Sequence, residues 1–572
     1  MKIDFTDALI QGTTVDVMIE YSTGDKATGL NWLDKDQTEN KTMPYLFSQC
    51  EPIYCRSIAP LQDTPSIKAT YTADVTIPKT QEVFMSANKA DKSVAVGKDQ
   101  MKYSFTMEVP IASYLLAIAV GDIGKNSVGS RTFVLAEKGK QLETATKIYG
   151  DSDFGLENAL DRAEKYLTPY IWGTYSLLIL PPSFPYGGME NPRMTFASPT
   201  TIMTDDTSQT YVATHEIAHS WTGNEVTCQN WSNMWLNEGF TVFEERHVSA
   251  EQHGMDFAKI EMLLGTYDVA DSFANFPADS SYSSLDPHFN GANPDGSFSE
   301  VPYEKGFWFL WYLQALMNDG LKDGEDMFQP FLQGWILKKK EMSANADQLK
   351  LWYDEYLNTA GFVGDKLKKL QGVDWVEWTT KPGYPKDYLD NYHRDQIFWF
   401  DTPESHVAFK LADEYVALAG EKSPFNLQGF NKWTPNQQVL FVNRLAYRQS
   451  LNEMNIDILY KIDADLNISN TIQPEVKQRW YPLGIMNDYV PVFKPAKEFV
   501  QSVGRMKYLN PIYEAMCQNG YRDMAFQWYK EKESFYHPIA RATLKKYMQI
   551  GMTPEDEEAL EQHEAVKAFL KE

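Results

Sequence analysis

The sequence predicts a three-part chain: an all-β N-terminal region, an α+β central region and an all-α C-terminal region. Three observations predict it. Residues 1–125 alternate apolar and polar with period two; residues after 388 repeat apolar positions with period 3.6; between them, strand candidates are interleaved with helical stretches. The expected boundaries are 1–125 for the β region, 126–378 for the central region, 379–388 for a linker and 389–572 for the helical region.

Within the first region, alternation is clearest at 14–19, 68–77 and 102–109, with turn chemistry at 22–25 and 95–99. The central region reads as a strand at 131–135, a helix at 156–170 and a strand at 175–180 closed by Pro181-Pro182. A Gly187-Gly188 loop, an edge strand at 189–197 and helices at 207–222 and 235–251 follow. Residues 379–385, with two prolines and a glycine, read as linker. Beyond them, amphipathic segments at 406–419, 435–448, 473–486, 524–532, 539–550 and 554–569 predict helices.

Composition excludes several classes. Hydrophobic residues at 43% and aromatics at 14% supply large cores, so a disordered chain is excluded. With 53 Lys+Arg against 78 Asp+Glu, the net charge of −25 repels phosphate backbones, and no nucleic-acid partner is expected. Cys50, Cys55, Cys228 and Cys517 are too few for a disulfide framework and are expected as reduced thiols. The longest apolar runs, 114–120 and 307–313, fall short of the ~18 residues that span a bilayer, so no membrane partner is expected. Asp4 and Asp7 stand where a signal peptide needs an apolar core. A cytoplasmic monomer is the resulting expectation.

The chemistry lies in His215-Glu216-Ile217-Ala218-His219. On a helix, positions i and i+4 are roughly 40° apart, so both imidazoles share one face and can bind one Zn²⁺. Glu216 projects beside that metal, where it can hold a water. Catalytic zinc needs a third protein ligand, and Glu238 follows His219 with eighteen residues between them, on the next predicted helix. Glu245, seven residues further on, is either a partner of a ligand His or a solvated acid. The run Gly187-Gly188-Met189-Glu190-Asn191 adds a carboxylate beside glycines that permit close main-chain approach to a bound peptide.

HExxH followed after eighteen residues by Glu, together with Gly187–Asn191, resembles the gluzincin aminopeptidases, peptidase family M1. The runs 180–192, 301–306, 45–50 and 504–507 are similar to the leukotriene A4 hydrolase branch of that family and its bacterial aminopeptidase relatives, so the likeness covers nearly the whole chain. The resemblance implies a thermolysin-like catalytic domain, a superhelical C-terminal domain and a β domain that is N-terminally shortened. It implies one Zn²⁺ per chain held by His215, His219 and Glu238, with Glu216 as general base and Tyr303 as oxyanion donor. Gly187, Gly188 and Met189 would bind the peptide main chain, and Glu190 and Glu51 the substrate ammonium. Gln49 would line the first-residue pocket, Asp295 would favour basic first residues, and Arg505 and Lys507 would hold the carboxylate of a short peptide. That branch carries Gln where this chain has Glu51, and Tyr where it has Phe298; both changes reshape a lipid-fitting pocket. The implied activity is removal of N-terminal residues, Arg, Lys and Ala among them, from short peptides with a free N-terminus. The alternatives are a bifunctional lipid-epoxide hydrolase and an inactive helical scaffold.

Overall fold

The computed structural model describes residues 12, 14–322, 324–391, 397–424, 427 and 429–548. Its N-terminal part holds two antiparallel sheets. In one, Lys68–Pro78 pairs along its length with Gln100–Ala112, to which Asn88–Lys89 and Val94–Val96 add. In the other, the order is Leu30–Leu33, Tyr45–Ser48, Ile118–Gly121, Glu82–Met85. Tyr103, Phe105 and Met107 point inward at every second position, the burial that the alternation at 102–109 encodes. Residues 14–19 have the same alternation but form no strand: Val15, Val17 and Met18 are all exposed, and no described strand pairs with them. Period two stabilises a strand only where a neighbour accepts its hydrogen bonds and covers one face.

The central part is built on a five-stranded mixed sheet, ordered Gly188–Met189, Thr195–Ala197, Tyr175–Ile179, Thr132–Glu137, Ile123–Ser127. Its three inner strands are parallel and its two edges antiparallel. Every residue of Tyr175–Ile179 is buried, as in a strand covered on both faces. The single edge strand expected at 189–197 is two short strands. Asn191 N–H bonds back to the carbonyl of Met189 (2.9 Å) and Met194 N–H to that of Asn191 (3.1 Å), reversing the chain at Pro192. The helix expected to reach residue 170 ends at Tyr166, because Pro169 disfavours helical geometry in the residue before it. The apolar run 307–313 forms the buried middle of the helix Gly306–Asn318.

The expected segments before residue 549 form the helices Pro403–Leu418, Pro435–Ser450, Pro474–Met486, Arg522–Lys532 and Pro538–Tyr547, and Ile456–Leu466, Phe493–Val500 and Met506–Gln518 are further helices that were not expected. Thr402 and Thr434 cap two of them, each accepting a main-chain N–H three residues on, ahead of a proline in the first turn. The segment 554–569 lies outside the described residues. Residues 379–385 are no free linker: Lys305 Nζ donates to the carbonyls of Lys381 (2.6 Å) and Ser283 (3.2 Å), and Gly383 N–H donates to Ser283 O (3.0 Å). Cys50, Cys55 and Cys228 are buried, Cys517 half-buried, and all four are free thiols. Among the described residues, no helix is long and apolar enough to cross a membrane.

Candidate active site

The helix Thr210–Ala218 starts from a short turn capped by Asp206, whose carboxylate accepts the N–H of Ser208 (3.0 Å). It ends earlier than the expected residue 222, with His219 as its cap, yet His219 N–H still reaches His215 O (3.2 Å), so the i, i+4 geometry of the two rings is preserved. Gly223 then turns the chain at φ +126°; a Cβ there would lie 2.8 Å from His219 Nδ1, so only glycine fits. The next helix, Trp235–His253, buries Asn237, Glu238, Glu244 and Arg246, a polar burial that core packing alone does not explain. It touches Gly306 at Gly239, where an added Cβ would come within 2.7 Å of Gly306 Cα. That backbone contact brings Tyr303, three residues before Gly306, to the side of Glu238. The buried pair Arg246–Glu304 (2.6 Å) pins the same turn.

His215 Nε2, His219 Nε2 and Glu238 Oε2 lie 3.1, 3.2 and 3.5 Å from one another. A tetrahedral ion with ligand bonds of about 2.0–2.1 Å has ligand–ligand edges of about 3.3–3.4 Å, so the three atoms fit Zn²⁺. Glu238 Oε2 is buried and accepts no hydrogen bond. The outer ring nitrogens are committed: His215 Nδ1 meets Glu245 Oε2 (2.9 Å), and His219 Nδ1 meets Thr222 O (2.8 Å) and Thr241 Oγ1 (3.0 Å). Those acceptors place the ring protons on Nδ1 and direct both Nε2 atoms to the ion. Glu245 is thus a partner of a ligand His; Thr241, one turn past Glu238, carried no sequence signal.

The site is rich in unbalanced negative charge. Burial pushes the Glu238 carboxyl up, but His219 and His215 outweigh it and hold it at about 2. Burial lifts Glu216 to about 8 against the pull of the same two rings. Burial would lower His219, yet Glu190 and Glu238 raise it to about 9. Glu190 Oε1 and Glu51 Oε1 are buried without partners, and burial pushes both carboxyls up, Glu51 also through the charge of Glu190. A carboxylate oxygen of Glu190 lies within 4.8 Å of ligand atoms of Glu216 and His219. Tyr303 stacks on His215 with ring centroids 6.1 Å apart, and burial together with Glu238 keeps its phenol protonated.

His215, Glu216, His219, Glu238, Glu245, Glu190, Glu51 and Tyr303 open onto one cavity of about 730 Å³, also lined by Gly187, Gly188, Asp295, Phe298, Arg505 and Lys507. Gln49 does not line it: the side chain is buried behind the wall, with Nε2 against Met189 Sδ (3.5 Å), and Met189 is itself buried. Gly188 lies so close to Glu216 that a Cβ would overlap its carboxylate, and a Cβ on Gly187 would come within 2.6 Å of the Arg505 guanidinium. Asp295 accepts the Tyr54 hydroxyl and is half-buried. Arg505 and Lys507 share an anion that the sequence reading missed. Lys507 Nζ lies 2.9 Å from Glu475 Oε2, and Arg505 donates to Tyr508 (2.9 Å), which donates to Glu475 (2.7 Å). Burial works against the charge on Glu475, but Lys507 and Arg505 hold its carboxyl at about 2. Lys507 also acts on Glu300, which lines the same cavity.

Residues 156–378 match the peptidase family M1 domain, 1–115 the peptidase M1 N-terminal domain and 433–548 the leukotriene A4 hydrolase C-terminal domain. The leucine aminopeptidase 2 of Aspergillus clavatus is 36% identical over 96% of this chain and 84% of its own length. The chain belongs to peptidase family M1. The leukotriene A-4 hydrolase of Xenopus laevis is 34% identical to this M1 peptidase over 96% of the chain and 86% of the relative. The structure of yeast LTA4 hydrolase in complex with bestatin superposes at a TM-score of 0.79, with 31% identity, over 92% of this M1 peptidase and 81% of that chain. The three-part fold and the reading as a zinc aminopeptidase acting on peptides stand with that membership.

Proposed function

We propose that this M1 peptidase removes single residues from the free N-terminus of short peptides, at a zinc ion held by His215, His219 and Glu238. One observation carries the exopeptidase reading: Glu190 and Glu51 each present a buried, unpartnered carboxylate oxygen beside the metal ligands. Buried carboxylates persist only where a cation meets them, and an α-ammonium provides one. Bound zinc supplies a Lewis acid for the scissile carbonyl and makes water acidic enough to attack at neutral pH. Glu216, between the two ligand histidines and packed against Gly188, is suited to take the proton of the attacking water and pass it to the leaving amine. Tyr303, kept protonated, donates to the oxyanion. Gly187 and Gly188, which line the cavity, offer main chain to the substrate backbone, and Arg505 with Lys507 faces the far carboxylate.

The test compares a peptide with its N-acetylated twin. The acetyl group removes the charge that Glu190 and Glu51 require, so kcat/KM is expected to fall by about 10²-fold or more for the blocked peptide. Comparable rates on both would refute exopeptidase action.

A second reading, lipid-epoxide hydrolysis, draws on the leukotriene A4 hydrolases among the relatives. The Glu51 carboxylate works against an apolar chain at that end of the cavity, so peptide is the substrate proposed. Asp295 lies at the same end, close enough that its charge raises Glu51. We assign it a preference for Arg and Lys as first residue. Asp295→Asn is expected to lower kcat/KM for an Arg substrate about tenfold more than for Ala, since about 1.4 kcal/mol of a desolvated Arg–carboxylate pair is a factor of ten. Equal losses on both substrates would make Asp295 a structural partner of Tyr54 only.

A further inference from the structure

The loop 222–225, between the helix Thr210–Ala218 and the strand Thr227–Cys228, has all four of its main-chain carbonyls engaged by side chains. Thr222 O accepts from His219 Nδ1 and Thr241 Oγ1, and Gly223 O from the hydroxyls of Tyr114 and Thr227. Asn224 O and Glu225 O both accept from Lys68 Nζ, at 2.9 Å each. Lys68 and Tyr114 come from the N-terminal part, so that part grips a loop next to a metal ligand.

Asn224, buried at 2% exposure, makes two further bonds from this loop. Its main-chain N–H donates to His219 O (3.0 Å), and its side-chain Nδ2 donates to Glu190 O (2.7 Å). One residue therefore ties the backbone of a zinc ligand to the backbone of the ammonium anchor. We propose that Asn224 is a positioning residue that sets the distance between the metal ligands and Glu190, so that a peptide is measured one residue deep. The inference rests on Glu190 being the ammonium anchor. The chemistry selects asparagine: an aspartate has the same shape but no donor for Glu190 O, and alanine has neither. The distance matters because misplacement by about 1 Å costs on the order of 10²-fold when two groups must engage one substrate together.

The test measures dissociation constants by calorimetry on the full zinc-loaded chain, for leucine hydroxamate and for the same hydroxamate lacking the α-amine. The ratio of the two constants reports the anchor alone. In Asn224→Asp and Asn224→Ala the advantage of the amine compound is expected to shrink about tenfold or more, with zinc at one per chain and the des-amino compound binding within about threefold of wild type. Lys68→Met, which loosens the loop from outside, is expected to shrink the same ratio by about threefold and keeps the question open to measurement if the Asn224 variants fail to fold. An unchanged ratio, or equal weakening of both compounds, would overturn the positioning role. Glu190→Gln on the same pair separates the two readings: if it leaves the ratio at the wild-type value, the anchor assignment fails; if it collapses the ratio while the Asn224 and Lys68 variants do not, only the positioning inference fails.

Discussion

Glu216→Gln is expected to keep one zinc per chain and to lower kcat by about 10²–10⁴-fold, the range for a lost general base. Glu216 is absent from the three atoms that match a tetrahedral ion, so the ligand set survives. The substitution is nearly isosteric, which matters because the carboxyl packs directly against Gly188 and leaves no room for a larger group. Gln cannot accept and return a proton, whereas a glutamate carboxylate can. Metal analysis and steady-state kinetics on the purified variant are the check; near-normal kcat in a zinc-replete protein would remove Glu216 from the base role.

The second large effect is loss of the metal itself. Glu238→Ala or His219→Ala leaves two protein ligands where catalytic zinc takes three, and metal affinity is expected to drop by more than about 100-fold, since loss of a mere supporting partner costs 10–100-fold. Removing Glu238 also strips a counter-charge shared by two rings whose Nε2 atoms are 3.1 Å apart. The purified variants are therefore expected to contain well under one zinc per chain by elemental analysis and to have no measurable peptidase activity until saturated with the metal. One tightly held equivalent in either variant would mean that other residues hold the ion, with Glu190, which lies within 4.8 Å of His219, the first to examine.

Much of the catalytic centre was legible because a helix imposes its own spacing. His215 and His219 share a face by helical geometry alone, and Glu245 follows Glu238 by two turns on one face, where it meets His215. Gly188 was legible as a close approach, although only the fold shows that the group it approaches is Glu216. Long amphipathic segments after residue 400 were legible for the same reason of local periodicity. Short elements were not: the 14–19 alternation lacked a pairing partner, and the 189–197 strand was broken by a turn at Pro192 that a period-two pattern does not register. Gln49 and Asp295 show the same limit for side chains. The resemblance implied a pocket wall for one and a partner for basic first residues for the other, but burial behind Met189 and a hydrogen bond from Tyr54 decide their surroundings.

By itself, the sequence determined the metal-ligand spacing, the base between the histidines and the glycine-bordered acid, because each depends on separations of a few residues along one chain segment. Only the tertiary structure decided which distant groups complete them. Gly239 against Gly306 sets Tyr303 beside Glu238, Glu475 reaches Arg505 and Lys507, and Lys68 crosses from the N-terminal part to the loop that Asn224 joins to Glu190. These contacts join residues tens to hundreds of positions apart, and their free energy comes from burial and paired charge that no local pattern records.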